Sequence, residues 1–446
     1  MNIVKTSLGT VQGTQKQGYA LFRGIPFAKP PIGELRFRAP QPAEPWDGVL
    51  KAESWPNRSM QLNRDGTGGF YEKEFRDDPE YLTTISEDSL YLNIWTPAES
   101  AGDRLPVAFW IHGGAFSGCC GHEKEFNGAE FAKRGIIMVT CNYRLGVFGF
   151  LAHPWLSAEN KAEGGPGVSG NYGILDQMAA LKWVKENIAA FGGDPDRITL
   201  FGQSAGGRSV RTLVSSPLTK SLVKGAIIQS AIGTPRDLVL SDAEAAGVQF
   251  AEKAGASSLD DLRAMDADRI IQAGVSMMAA ARQAGKSVFC PNVDGYVLPD
   301  SYQGILESGE IADIPYMVGS NKDDIGAALA AGDAAESLMY RGCLNWAENR
   351  SKKGTKPTYV YYFKRQLPGD TAGAFHSAEL WYTFGTLDRS WRPKEPGDYE
   401  LSERMINYWA EFIKTGSPNG AEADAGAPGY WPACSTASDV MEFDVE

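Results

Sequence analysis

The chain has 446 residues, 43% of them apolar and 22% charged, a composition that builds a sizeable buried core. Lys and Arg number 43 against 55 Asp and Glu, a net charge of −12, which argues against nucleic acid or anionic membrane surfaces as partners. No apolar run approaches the roughly 18 residues of a membrane span, and Met1–Thr6 lacks the charged start and apolar core of a signal peptide, so the expected location is the cytoplasm.

Residues 1–100 read as short strands and turns, loop-rich around Pro26, Pro30, Pro31, Pro40, Pro42 and Pro45. From about residue 105 the pattern changes. Leu105–Ile111 and Ile136–Cys141 are apolar runs expected as buried strands. Asn171–Ala190 is helical, with Leu175, Met178, Leu181, Val184 and Ile188 at helical spacing and Gly192-Gly193 as the stop. A strand through Arg197–Leu200 leads into a glycine-rich turn and a further helix. Strands follow at Gly225–Gln229 and Ile314–Val318, with Tyr359–Phe363 expected as the last. The Ala-rich stretches 241–286 and 332–350 are expected as helices lining a pocket, and 416–429 as a surface loop. Strands alternating with helices imply an α/β class: a mostly parallel sheet covered on both faces, with an N-terminal antiparallel extension. No repeat or composition break divides 1–446, so one domain is expected. The six cysteines, Cys119, Cys120, Cys141, Cys290, Cys343 and Cys434, show no zinc spacing and read as packed thiols.

The densest chemical signal is Phe201-Gly202-Gln203-Ser204-Ala205-Gly206-Gly207. Gly-x-Ser-x-Gly between a strand and a helix is the spacing of a nucleophile elbow, where side chains at Gly202 or Gly206 would collide across the turn. Ser204 then needs a base. In an α/β-hydrolase layout the partners follow in the order Ser, Asp or Glu, His, and of the four histidines only His376 lies after Ser204. The acid belongs on the loop after the preceding strand, where Asp323 and Asp324 compete. His112-Gly113-Gly114-Ala115-Phe116 follows the strand Leu105–Ile111 in the position of a second oxyanion element. Its donors are expected at the Gly114 and Ala115 amides, joined by Ala205, with His112 holding the loop. His122 and His153 read as packing residues. No metal-binding or phosphate-binding motif is present, and the mechanism requires no cofactor and no metal.

The chain resembles the type-B carboxylesterases, the family of bacterial para-nitrobenzyl esterases, animal carboxylesterases and cholinesterases. The resemblance rests on Phe22–Ala28, Gly33–Phe37, Ser86–Trp95, the His112 loop, Asn142-Tyr143-Arg144, Gly170–Gln177, the elbow and Ile228-Gln229-Ser230. It implies an α/β-hydrolase fold and a serine ester hydrolase working through an acyl-enzyme on small to medium, largely uncharged esters. Amidase, lactonase and transacylase chemistry use the same triad, and a non-catalytic binding module is the reading from a different class. The family's acid aligns with Asp324, so the implied triad is Ser204, Asp324 and His376. Ser230 is implied to lie near the triad, and Phe116, Phe289, Trp381 and Tyr382 are candidate pocket or core aromatics. Three departures stand out. Ser89 replaces a disulfide cysteine of many secreted relatives, in keeping with a reducing compartment. Gln203 stands where Glu is commoner, and residues 63–85 contain no Trp to hold a quaternary ammonium. Asp324 and His376 are only 52 positions apart, a shortening around 325–340 expected to open the pocket to bulky esters.

Overall fold

The computed structural model describes residues 1–233, 237–325, 337–421, 424 and 427–445. A ten-stranded sheet organises them. Its strands in chain order are β1 (Thr14–Lys16), β2 (Tyr19–Pro26), β3 (Tyr91–Thr96), β4 (Leu105–Ile111), β5 (Ile137–Cys141), β6 (Gly193–Gln203), β7 (Gly225–Gln229), β8 (Tyr316–Asn321), β9 (Thr358–Phe363) and β10 (Met441–Phe443). Their spatial order is β10–β9–β8–β7–β6–β4–β5–β3–β2–β1. The pairings from β10 through β5 are parallel, and β5–β3, β3–β2 and β2–β1 are antiparallel. This is the expected parallel sheet with its antiparallel N-terminal extension.

The helices that bear on the site are α1 (Phe70–Phe75), α2 (Tyr172–Asn187), α3 (Ala205–Ser215), α4 (Leu240–Ala254), α5 (Ala267–Gln283), α6 (Tyr302–Ser308), α7 (Leu338–Lys353) and α8 (Pro396–Thr415). They cover both faces of the sheet, and the strand residues alternate between two cores. Ile111, Leu200, Ile228 and Val318 face one cluster, which α2 and α3 complete with Leu181, Val184, Val210 and Leu213. Trp110, Phe201, Ile227 and Met317 face the other, which α8 completes with Met405, Trp409 and Phe412.

Several boundaries differ from expectation. The strand expected at Ile314–Val318 runs Tyr316–Asn321, because Pro315 has no N–H to give the ladder. Tyr359–Phe363 is not the last strand: β10 pairs beyond it, Tyr361 opposite Met441. The 241–286 stretch is three helices, α4, Leu259–Ala264 and α5. Gly255, at φ 73°, ends the first, and the Ser258 hydroxyl caps the second. Helix α7 packs on β8 and β9. The shortening expected around 325–340, and the start of the 332–350 stretch, fall largely at 326–336, outside the described residues.

Candidate active site

The parallel strands bring their carboxyl ends into register. Gly202 lies opposite Ile111, Gln203 opposite Gln229, and Gln229 opposite Gly319. The loops after β4, β6, β7, β8 and β9 therefore open on one edge, the usual location of a site in an α/β sheet. Every residue of the expected triad sits on those loops.

Ser204 occupies the turn between β6 and α3 at φ 57° and ψ −124°, outside the regions that a serine adopts freely. The turn is held by its N–H, which donates to the Gln229 carbonyl at 2.8 Å. A Cβ at Gly202 would lie 2.5 Å from the Gly206 carbonyl oxygen, and one at Gly206 only 1.9 Å from that of Ile111. Both glycines are thus sterically required.

His376 Nε2 lies 2.8 Å from Ser204 Oγ, and His376 Nδ1 lies 2.5 Å from Asp324 Oδ1. The choice between the two aspartates follows from where each carboxylate points. Asp323 turns away and accepts the Ala374 N–H at 2.8 Å. Asp324 also accepts N–H bonds from Asn321 at 3.1 Å and Ile325 at 2.8 Å. Burial raises the Asp324 pKa, but the His376 charge and hydrogen bond, with the Asn321 N–H, outweigh it and hold the carboxyl below its ordinary value. For His376, burial lowers the pKa, yet the Asp324 charge and hydrogen bond, with Glu379, keep it above 6.5. Ser230 Oγ is buried without a hydrogen bond of standard geometry, but close enough to Asp324 to add to the lowering of its pKa.

The His112 loop packs directly on the elbow, since a Cβ at Gly113 would meet the Gln203 carbonyl oxygen at 2.9 Å and Ser204 Cβ at 3.2 Å. Gly114, Ala115 and Phe116 all have positive φ, 90°, 54° and 57°. The amides of Gly114, Ala115 and Ala205 donate to no other backbone group among the described residues, as free oxyanion donors must. His112 holds this loop. Its ring stacks on Tyr143 at 4.4 Å, Nδ1 lies 3.0 Å from the Gly113 carbonyl oxygen, and burial pushes its pKa down to about 4, so it is neutral. His122 stacks on Trp55 and His153 caps a helix by accepting the Trp155 N–H; both are packing residues, as expected.

The candidate aromatics lie mostly in the core. Trp381 is fully buried and donates to Glu74 Oε1 at 2.8 Å, and Tyr382 donates to Asp398. Phe116 packs edge-on to Phe150 and Phe289 edge-on to Phe250. Instead α1 borders the site: Tyr71 donates its hydroxyl to the His376 carbonyl at 3.3 Å, and Phe70 packs on Phe375. Tyr71 carries no motif, so the sequence gives no sign of this role. Glu379 likewise carries no motif, although it stands three residues after His376. Fully buried, it accepts from Asn321 Nδ2 at 2.5 Å and Gln229 Nε2 at 3.1 Å. Gln203 Nε2 reaches within 3.3 Å of His376 Nε2. Among the described residues no group of three or more His, Cys, Asp or Glu is placed to hold a metal ion.

A serine on a strained strand-to-helix turn, hydrogen-bonded to a histidine that is itself bonded to an aspartate, with amides beside it that have no backbone partner among the described residues, is an arrangement able to perform acyl transfer. The chain matches known proteins over nearly its full length. The carboxylesterase family model matches residues 1–339 and 334–446. The para-nitrobenzyl esterase of Bacillus subtilis is 33% identical, with 97% of this chain and 92% of that one covered, and the liver carboxylesterase of Sus scrofa is 33% identical, with 99% and 89% covered. Among solved structures, a thermophilic PNB esterase superposes with a TM-score of 0.84 at 31% identity, covering 100% of this chain and 96% of its own. Fold, site geometry and sequence therefore converge: the chain belongs to the type-B carboxylesterase family, serine ester hydrolases of the α/β-hydrolase fold.

Proposed function

We propose that Ser204, His376 and Asp324 are the catalytic triad of this carboxylesterase, with Gly114, Ala115 and Ala205 as its oxyanion donors. The observation that carries this reading is the hydrogen-bonded relay, 2.8 Å from Ser204 to His376 and 2.5 Å from His376 to Asp324. Ser204 Oγ attacks the ester carbonyl as its proton passes to His376 Nε2. The carbonyl oxygen becomes negative and is held by the three amides and the N-terminus of α3. The carbon–oxygen bond to the alcohol then breaks, and the alcohol leaves with the proton from Nε2. Water repeats the sequence on the acyl-enzyme, giving its proton to Nε2, and the acid departs as Oγ is reprotonated. Asp324 fixes the tautomer that keeps Nε2 free to accept, and stabilises the imidazolium.

The substrate is a small-molecule ester whose alcohol carries no quaternary ammonium group, in keeping with Gln203 and the absence of Trp in 63–85. Rates across esters of increasing acyl size test the acceptance of bulky substrates. A cytoplasmic location fits Ser89, whose hydroxyl accepts from Ser59 at 3.0 Å in a buried pair, at the position of a secreted relative's bridging cysteine; cell fractionation checks it. No helix among the described residues is long and apolar enough to cross a membrane.

Covalent labelling by a fluorophosphonate tests the core reading. The intact protein should label and Ser204→Ala should not. A protein that fails to label while its circular dichroism is that of a folded chain would be a binding module rather than a hydrolase.

A further inference from the structure

Helix α1 is too short to persist on its own, since isolated helices need about 12–15 residues in water. It spans six residues, and Gly69 before it offers no side-chain cap. Glu74 is what holds it in place. This carboxylate is 1% exposed and accepts from Trp381 Nε1 at 2.8 Å, Trp391 Nε1 at 2.9 Å and Arg392 Nε at 2.9 Å. Arg392 balances its charge and is itself forked on Asp370, at 2.8 and 2.9 Å. A buried charge met by this many donors rigidifies the segment that carries it.

The two ends of this pinned helix reach different halves of the catalytic machinery. At its start Tyr71 donates to the His376 carbonyl at 3.3 Å, a carbonyl that takes no backbone N–H among the described residues. Phe70 packs edge-on to Phe375, with centroids 4.9 Å apart, and Arg392 lies 5.1 Å over the same Phe375 ring. At its end Arg76 donates through Nε to Glu123 at 2.7 Å and through Nη2 to Cys119 Sγ at 2.9 Å. Burial pushes the Cys119 pKa up, so the sulfur is that of a neutral thiol, a weak acceptor. Its place gives the contact its consequence: a Cβ at Gly114 would lie 2.6 Å from this sulfur. Gln61 fixes the Cys119 backbone, at 3.0 and 3.1 Å, which leaves Arg76 to set the side chain. Gly114 is one of the proposed oxyanion donors, so Arg76 grips the loop beside that amide.

Ester hydrolysis needs the base and the oxyanion amides held together to within about 0.5 Å of productive geometry, and a misplacement of about 1 Å can cost a hundredfold in rate. The two sit on loops after different strands, β9 and β4, and α1 touches both. We propose that α1 acts as one rigid bridge between the base and the oxyanion loop, with Tyr71 and Arg76 as positioning residues at its ends and Glu74 as its pin. The proposal rests on the hydrolase reading above. The bridge works through His376 and Gly114 rather than on the substrate, so it governs kcat and leaves KM alone.

A double-mutant cycle in steady-state kinetics on one neutral ester tests this. Tyr71→Phe removes a hydroxyl and keeps the ring. Arg76→Lys keeps a charge for Glu123 but lacks the second nitrogen that reaches the thiol. Each should lower kcat about three- to tenfold and leave KM within about twofold. Cys119→Ala removes the acceptor without touching α1; it should reproduce the Arg76→Lys loss, and it replaces that variant in the cycle if Arg76→Lys does not fold. Tyr71 and Arg76 share no hydrogen-bond partner and stand roughly 8 Å apart along the helix axis, so two separate contacts would give losses that multiply. A single bridge, released at either end, gives a double variant whose loss falls short of that product by about threefold or more. Losses that multiply, a kcat unmoved by both single substitutions, or a loss carried by KM would each overturn the bridge. Absent fluorophosphonate labelling of the intact protein sinks the hydrolase reading, whereas intact labelling with multiplying losses sinks this one.

Discussion

At the scale of single residues, Gln203 distinguishes this site. Its amide lies 3.3 Å from His376 Nε2, the nitrogen that also faces Ser204. With Nδ1–H committed to Asp324, Nε2 is an acceptor, so the amide competes with the serine hydroxyl for one lone pair. A carboxylate there would instead favour the imidazolium. His376 already titrates above its ordinary value, and catalysis needs it neutral. Gln203→Glu should raise that pKa further, protonate the base to higher pH and move the acidic limb of the kcat/KM profile up by about one unit or more. A limb that stays put or moves down would contradict this. Asp324→Asn should leave the protein folded but favour the wrong tautomer, lowering kcat by about 10⁴; Asp323→Asn, which removes only a loop bond, should stay within tenfold, both measured on one neutral ester. The elbow and base were legible because four histidines and chain order left little choice. Spacing and chain order left Asp323 and Asp324 open, since adjacent carboxylates on a loop differ only in where they point; the family resemblance alone singled out Asp324.

At the scale of elements, the site is tied together beneath its surface by a chain of amides. Trp409 of α8 donates to Gln229 at the end of β7, Gln229 to Glu379, and Asn321 at the end of β8 both to Glu379 and to the Phe375 carbonyl. The Glu379 carboxyl is pushed up to about 7, mainly by burial, with Asp324 adding to the rise and the Asn321 hydrogen bond opposing it. Its folded pKa exceeds the unfolded value of about 4.3. Its contribution to stability is therefore complete below about pH 4.3 and is lost as pH rises through 7, on the order of 3 kcal/mol in all. The stability difference between wild type and Glu379→Gln, from urea midpoints, should shrink in the wild type's disfavour from pH 5 to pH 8; a constant difference would rule the titration out. The strands of this layer were readable as unbroken apolar runs. Helix α8 was not, because its first residues, Pro396-Gly397, spell a turn, although Leu401, Met405, Trp409 and Phe412 keep helical spacing. Strand β10, three residues long, is too short to show a period.

At the scale of the whole molecule, 446 residues exceed the size at which chains usually divide into domains. We propose that this one nevertheless unfolds as a unit, because its two cores share one sheet. Leu200 and Phe201 are consecutive on β6 yet belong to opposite clusters, as do Ile227 and Ile228 on β7. Neither core can be exposed without stripping a face from the strand that carries the nucleophile. Trp409 is fully buried in the cluster opposite α3, so its truncation tests the coupling from the far side. Trp409→Ala should cost about 3–5 kcal/mol, lower the melting temperature, and leave a single calorimetric transition. The near-ultraviolet signal of the aromatic cluster and competence for fluorophosphonate labelling should disappear at the same temperature in the variant, as in the wild type. Labelling that survives the loss of the aromatic signal would show two independent units, and would place the boundary along the sheet rather than at any break in the sequence.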